Sequence, residues 1–353
     1  MELNKVLQKV IDLGGSDLHL TVGAPPVIRV DGELVFQKEL GNLNNETVKE
    51  VIYGLLTEKQ VKILEEEKEF DFSFAYSDLA RFRVNAFHQR GYLASVMRLI
   101  PLSVPTVEEL NLPRTLYQFC ELPQGLVLVT GPAGQGKSTT IAALINHINE
   151  VDSSHIITIE DPIEYLYPHK KSIVDQREMN LDTRSWPIAL RSALREDPDV
   201  VLVGEMRDPE TIATTITIAE TGHLVFASLH TNSAAQSIDR IIDVFPEFQQ
   251  SQIRVQLASI LQGVISQRLI PAIGGGRVPA VELMLPTQAV RSVIREGKTH
   301  QLDNIISTSF DLGMISLERS LGDLVKIGKV EASAAKAHTI KPEELTRYLR
   351  ENQ

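Results

Sequence analysis

Apolar positions alternate with polar ones through the first hundred residues and gather into short unbroken runs after that, and this change of pattern divides the chain. Phe70, Phe72 and Phe74 alternate with polar neighbours, as do Phe82, Val84 and Ala86, which predicts half-buried strands. Val27 to Val35 predicts a hairpin turning at Asp31-Gly32, a type I′ turn signal. The stretch 101–113 holds three prolines and little periodicity and reads as a linker. Beyond it, Leu126–Val129, Ile156–Ile159, Val200–Val203 and Leu224–Ala227 are apolar on both faces, as strands of a helix-covered parallel sheet are. Trp186, Leu190, Ala193 and Leu194 fall on one helical face between them. Residues 211–221 are rich in β-branched side chains, yet Asp208-Pro209-Glu210 is a helix start, and Ile212, Ile216 and Ala219 share a face, so a helix is expected. From Glu282 onward the pattern reads as mostly helical. The expectation is an N-terminal α+β domain over 1–100, a linker over 101–113, and an α/β domain with a parallel sheet over 114–353.

Composition narrows what such a protein can do. With 353 residues, two domains are expected, because single cores stop growing at about 250–300 residues. The one cysteine, Cys120, allows neither an internal disulfide nor a four-cysteine zinc site, and a reducing cytosol is the expected compartment. No basic n-region leads into an apolar stretch at the start, and no run of about 18 apolar residues occurs. Any attachment to a membrane is therefore expected to go through a partner. The net charge of −11 counts against a nucleic-acid partner.

The strongest chemical signal is Gly131-Pro132-Ala133-Gly134-Gln135-Gly136-Lys137-Ser138, which fits G-x-x-x-x-G-K-[ST] between a predicted buried strand and a helix opening at Thr139. Glycines let backbone N–H groups wrap phosphates at a helix N-terminus, whose dipole favours anions. Lys137 would bring a point charge to the β- and γ-phosphates and Ser138 a hydroxyl to Mg²⁺, so ATP and Mg²⁺ are the expected ligands. Two acidic clusters, Glu160-Asp161-Pro162-Ile163-Glu164 and Gly204-Glu205-Met206-Arg207-Asp208, end predicted strands, where ligands bind in open α/β sheets. Either cluster alone also reads as helix-capping acid, and Asp208 before Pro209 is expected to be only a cap. His230 ends another strand, where a side chain can sense the γ-phosphate; a purely structural histidine is the other reading. Arg81, Arg83, Arg90 and Arg98 in the first domain read either as surface residues or as arginine fingers.

Taken in order, these motifs resemble the secretion/type IV pilus ATPase family. The resemblance covers residues 14 to 300. Gly14 to Leu20 through Arg29-Val30-Asp31-Gly32 resembles the opening of its pilus-retraction subfamily. Thr158 to Glu164 resembles its Asp box, Val203 to Asp208 its atypical Walker B, and Thr221-Gly222-His223 through His230-Thr231-Asn232 its His box. The resemblance implies a PAS-like N-terminal domain joined to a RecA-like P-loop domain with a helical C-terminal segment, assembled as a homohexamer. It implies that Glu164 acts on the attacking water and that Glu205 supports Mg²⁺ through water. It further implies that Arg83 and Arg98 reach the nucleotide and that His223 and His230 belong to the site. The segment Ala289 to Glu296 resembles a helix associated with retraction, departing from it at Val290, Ser292 and Val293; Ala133 and Gln135 depart from the usual Thr and Ser of the P-loop.

The same resemblance implies a cytoplasmic motor that powers pilus retraction in twitching motility, held at the inner membrane through a platform protein of the pilus machine. An accessory retraction paralogue, a DNA-translocating RecA-like motor and a non-hydrolysing nucleotide-binding scaffold are the alternatives.

Overall fold

The computed structural model describes residues 2–30, 32–76, 80–100 and 103–350. Contacts divide the chain into two compact units, Met1–Ser103 with Glu164–Leu166 and Val104–Ile163 with Tyr167–Gln353. Asp31 of the predicted hairpin and Pro101 of the predicted linker lie outside the described residues.

The first unit is built on a six-stranded antiparallel sheet in the order β3-β2-β1-β6-β5-β4. Helix α1 (Leu3–Asp12) precedes β1 (Asp17–Leu20), β2 (Val27–Val30) and β3 (Glu33–Phe36); α2 (Asn45–Gly54) and α3 (Glu58–Glu67) precede β4 (Glu69–Tyr76), β5 (Ala80–Gln89) and β6 (Tyr92–Ile100). Asn44 caps α2, and Thr57 with Gln60 forms a capping box on α3, so each helix begins where a side chain satisfies its orphan amides. The period-2 pattern sends Phe82, Val84 and Ala86 into the core with Leu7, Ile52 and Leu64 of the helices. Arg81, Arg83 and Asn85 consequently stand on the opposite face. Register then aligns Arg29, Asp17, Arg98 and Arg83 in one row across β2, β1, β6 and β5.

The second unit carries a seven-stranded sheet in the order β13-β12-β7-β11-β10-β8-β9. Its strands are β7 (Gly125–Thr130), β8 (His155–Glu160), β9 (Ile173–Glu178), β10 (Val200–Val203), β11 (Leu224–Leu229), β12 (Leu261–Pro271) and β13 (Arg277–Met284). All neighbours are parallel except β12 and β13, which form an antiparallel pair. The helices α4 (Lys137–Val151), α5 (Trp186–Ala193), α6 (Pro209–Glu220), α7 (Ala234–Asp243), α8 (Glu247–Ile260) and α9 (Gln288–Arg295) alternate with or follow these strands. Residues 211–221 are helical as expected, with Asp208 capping α6. The chain then runs through α10 (Leu302–Thr308), α11 (Leu317–Lys326), α12 (Ala332–His338) and α13 (Pro342–Arg350), the last three packed on β12 and β13 through Ile270, Val278, Leu321 and Leu345. Helical structure thus starts at 288 rather than at Glu282, which lies within β13. No helix among the described residues is long and apolar enough to cross a membrane.

Candidate nucleotide site

The chain leaves β7 at Thr130, turns through residues 131–136 and enters α4 at Lys137. Gly134 (φ 72°) and Gly136 (φ 79°) hold left-handed backbone that a side chain would strain. The turn therefore delivers the first amides of a 15-residue helix to the C-terminal edge of the sheet, a ready-made anion site. Lys137 is 7% exposed, and its Nζ donates to the carbonyls of Gly131 and Pro132, each at 2.9 Å. Its charge is thus folded back over the loop it follows.

Two neighbouring strands end beside it. Lys137 Nζ lies 3.3 Å from His230 Nδ1, just past the end of β11, and His230 Nε2 lies 3.8 Å from the Glu205 carboxylate, just past β10. An ammonium can only donate, so His230 Nδ1 accepts and the ring proton sits on Nε2, facing Glu205. Burial and then the Lys137 charge push the His230 pKa below its ordinary value, against a smaller pull from Glu205. The ring is accordingly neutral at pH 7. Glu205 is 16% exposed and also pairs with Arg207 Nε at 2.8 Å. Gly204 before it is closely packed: a Cβ there would lie 3.1 Å from Ile159 O and 3.2 Å from the Trp186 ring, so these neighbours would have to give by a few tenths of an ångström. Lys137, His230 and Glu205 thus form a continuous polar chain across the ends of β7, β11 and β10.

The first acidic cluster is split by the fold. Glu160 ends β8 buried, accepting from Thr158 Oγ1 at 2.7 Å and Gln176 Nε2 at 3.3 Å, whereas Glu164 is exposed in the segment leading to β9. Asp208 is the cap it was expected to be: its carboxylate accepts from Thr211 N at 2.9 Å and Thr211 Oγ1 at 2.6 Å.

His223 is not brought to this edge. It precedes β11, whose six residues span about 20 Å, and its Nδ1 lies 3.0 Å from Ile218 O at the end of α6. Within one chain His223 and His230 therefore occupy opposite edges of the sheet. Arg83 and Arg98 belong to the first unit, directly opposite each other on β5 and β6. Arg98 Nε donates to Asp17 Oδ1 at 2.9 Å, and Ser16 Oγ donates to Asp17 Oδ2 at 2.7 Å. Burial raises the Asp17 pKa, but these two bonds and the Arg98 charge outweigh it and hold the carboxyl below its ordinary range.

Sequence reasoning missed the β12–β13 pair entirely. Gln267 of β12 contacts the P-loop through its side chain, Leu269 N donates to Gln135 Oε1 at 2.6 Å, and Arg277 Nη1 reaches Gly134 O at 3.4 Å. The turn signal Gly274-Gly275-Gly276 was the cue to this hairpin. Together with α4, the pair walls a cavity of about 330 Å³ lined by Leu112, Gly136, Thr139, Thr140, Leu269 and Arg277. That volume lies at the lower end of the ~300–1,000 Å³ range of small-molecule pockets. The Ser138 hydroxyl and the Glu205 carboxylate are hard oxygen donors of the kind Mg²⁺ accepts, together with substrate phosphates and water.

The type II/IV secretion system protein family matches residues 2–275. The type IV pilus retraction ATPase PilT of Pseudomonas aeruginosa is 49% identical over 343 residues, covering 97% of this chain and 99% of that protein. The twitching motility protein of Neisseria gonorrhoeae is 47% identical over 312 residues, covering 88% and 83%. The crystal structure of the pilus retraction motor PilT with bound ADP superposes with a TM-score of 0.93 at 48% identity, covering 98% of this chain and 99% of the other.

Proposed function

Because the chain belongs to the type II/IV secretion system protein family, we propose that it is the ATP-hydrolysing motor that drives type IV pilus retraction in twitching motility. The observation that carries this reading is near-half identity, sustained over almost the whole of both chains, to a retraction ATPase. The reaction is attack of water on the γ-phosphorus, with ADP leaving and the water's proton passing to a base. The P-loop amides and Lys137 neutralise the polyphosphate, and the cavity beside Thr139 takes the nucleoside. Ser138 and Glu205 would hold Mg²⁺, which when bound screens charge on the phosphate oxygens. Glu164 orients the water and takes its proton. His230, neutral and fixed between Lys137 and Glu205, donates through Nε2 and is displaced or retained according to what occupies the γ-position. Arg83 and Arg98 meet the charge that develops on the transferred group.

The motor works as a homohexamer in the cytoplasm, docked on an inner-membrane platform protein. Deleting the gene in its host and counting surface pili tests the direction of the work. Hyperpiliated cells without twitching bear the reading out; bald cells would make it an extension motor, and unchanged motility would remove it from the pilus altogether.

Two further results are expected. The Asp17 carboxylate is what aims Arg98, so Asp17→Asn should lower kcat about tenfold while ATP affinity changes little, the scale of one charge-assisted bond. An unaltered kcat in a folded hexamer would separate Arg98 from catalysis. The second concerns α9. Val290, Val293 and Ile294 are buried in the unit's own core, and Arg291 bonds Pro286 O at 3.1 Å and Ser259 O at 2.9 Å. The apolar stripe and Arg291 are therefore packing elements, and any coupling surface is the exposed side with Arg295 and Glu296. Arg295→Glu should leave ATPase within about twofold, as surface changes usually do, and abolish twitching. Normal twitching would confine α9 to packing.

A further inference from the structure

A second polar network joins the P-loop to β12, and none of the nucleotide motifs includes its central residue. Gln267 is 3% exposed and follows Ser266, which pairs with Thr130 at the end of β7. Its Nε2 donates to the carbonyl of Gln135 at 2.7 Å, and its Oε1 accepts from Thr140 Oγ1 at 2.6 Å. The two ends of the amide are not interchangeable: Gln135 offers a carbonyl, so only the NH₂ group can face it. Thr140, one turn into α4, thus fixes the amide in the orientation that grips the loop.

The grip has a consequence for the next peptide. In a trans peptide the C=O and the following N–H point in opposite directions. With the Gln135 carbonyl drawn toward Gln267, the Gly136 N–H is directed to the side away from β12. Two loop glycines also answer to Gln267: a Cβ on Gly131 would lie 2.4 Å from its carbonyl oxygen, and one on Gly136 2.9 Å from its Nε2. Gly134, by contrast, has nothing within 4 Å of such an atom. The close approach of β12 therefore sets the backbone of the loop at both of its ends, and the Gln135 side chain adds a third tie through Leu269 N.

The geometry points to Gln267 as a positioning residue for polyphosphate binding, which clamps the Gln135 carbonyl so that the Gly136 amide is presented before the nucleotide arrives. Preorganised amides bind an anion without first being reoriented, so the effect falls on nucleotide affinity. The inference rests on the P-loop being the ATP site.

Gln267→Met keeps the length of the side chain and removes both bonds. It should raise the Kd for ADP and the KM for ATP about tenfold, the scale of a bond to a charged group, with kcat changed less than about threefold. The Gln135 carbonyl and the Thr140 hydroxyl each lose a partner, so the nucleotide-free protein should melt several degrees lower and still unfold cooperatively. Thr140 provides a second route to the same question. Thr140→Val removes the hydroxyl that fixes the amide and should weaken ADP binding about threefold, whereas Thr140→Ser retains it and should lose clearly less than Thr140→Val does. Unchanged ADP affinity in Gln267→Met, or loss of cooperative unfolding in the nucleotide-free protein, would reduce Gln267 to a fold-holding residue. So would Thr140→Ser behaving like Thr140→Val. Failure of the P-loop reading itself would be seen elsewhere, in an active Lys137→Ala protein.

Discussion

Lys137→Ala will fold and remain soluble but lose ATP turnover by about two to three orders of magnitude, the scale seen when one donor to a developing oxyanion is removed. The side chain stands at the first position of α4, and its Nζ engages two loop carbonyls and His230. Its removal costs those two carbonyls one partner each, about 1–3 kcal/mol apiece, so the melting temperature drops by several degrees without loss of the fold. Nothing else in the P-loop carries a full positive charge, and the polyphosphate keeps its need for one. A secondary effect arises from the same geometry. The Lys137 charge helps to hold His230 below its ordinary pKa, so in Lys137→Ala the histidine should titrate higher. NMR titration of the His230 ring reads this directly. Turnover above a few per cent of wild type would mean that the P-loop is not where ATP is hydrolysed.

The parallel strands and the P-loop were legible because their signals are local. β7, β8, β10 and β11 are continuous apolar runs with helices on both faces, and each ends in a recognisable polar cluster. β12 defeats the same reading. It is covered on both faces and paired on both edges, so no period-2 alternation survives, and the buried polar residues Ser266 and Gln267 look like a break in an apolar run. Gln267 is buried because the P-loop and the first turn of α4 supply partners for its amide 127 to 132 positions away, and no local window contains them. β9 fails differently: as an edge strand it reads Ile-Val-Asp-Gln-Arg-Glu, with Ile173 exposed, and presents too little apolar pattern to be seen.

The site shows the same division. Motif order singles out Glu205 and His230 as candidates, but only the fold shows that a neutral imidazole links Lys137 to Glu205. The tautomer is set by which atoms meet. His223 shares a motif with His230 yet stands at the far edge of the sheet, because six strand residues carry the chain from one edge to the other. Closeness in sequence is a poor guide here, since a β-strand converts a short stretch of chain into the full depth of the domain.

Glu164→Gln should bind ATP with Mg²⁺ about as tightly as the wild type and hydrolyse it slower by about 10²–10⁴, the range for loss of a positioned general base. Glutamine keeps the shape of the side chain and can still hydrogen-bond a water, but it cannot take the proton. Glu164 lies in the exposed segment after β8, while Glu205 sits 16% exposed among His230 and Arg207, so the two acids face different demands. Glu205→Gln, by removing a charge near the proposed metal position, should instead weaken Mg²⁺-dependent binding and raise the Mg²⁺ concentration needed for half-maximal activity. It also strips Arg207 and His230 of their shared anion. Equilibrium binding of ATP and single-turnover hydrolysis, run on both variants across a Mg²⁺ series, separate the roles. A Glu164→Gln protein that accumulates bound ATP rather than ADP fits the base assignment. One that fails to bind ATP would move Glu164 to metal support, and one that turns over at near wild-type rate would leave Glu205 as the acid that activates water.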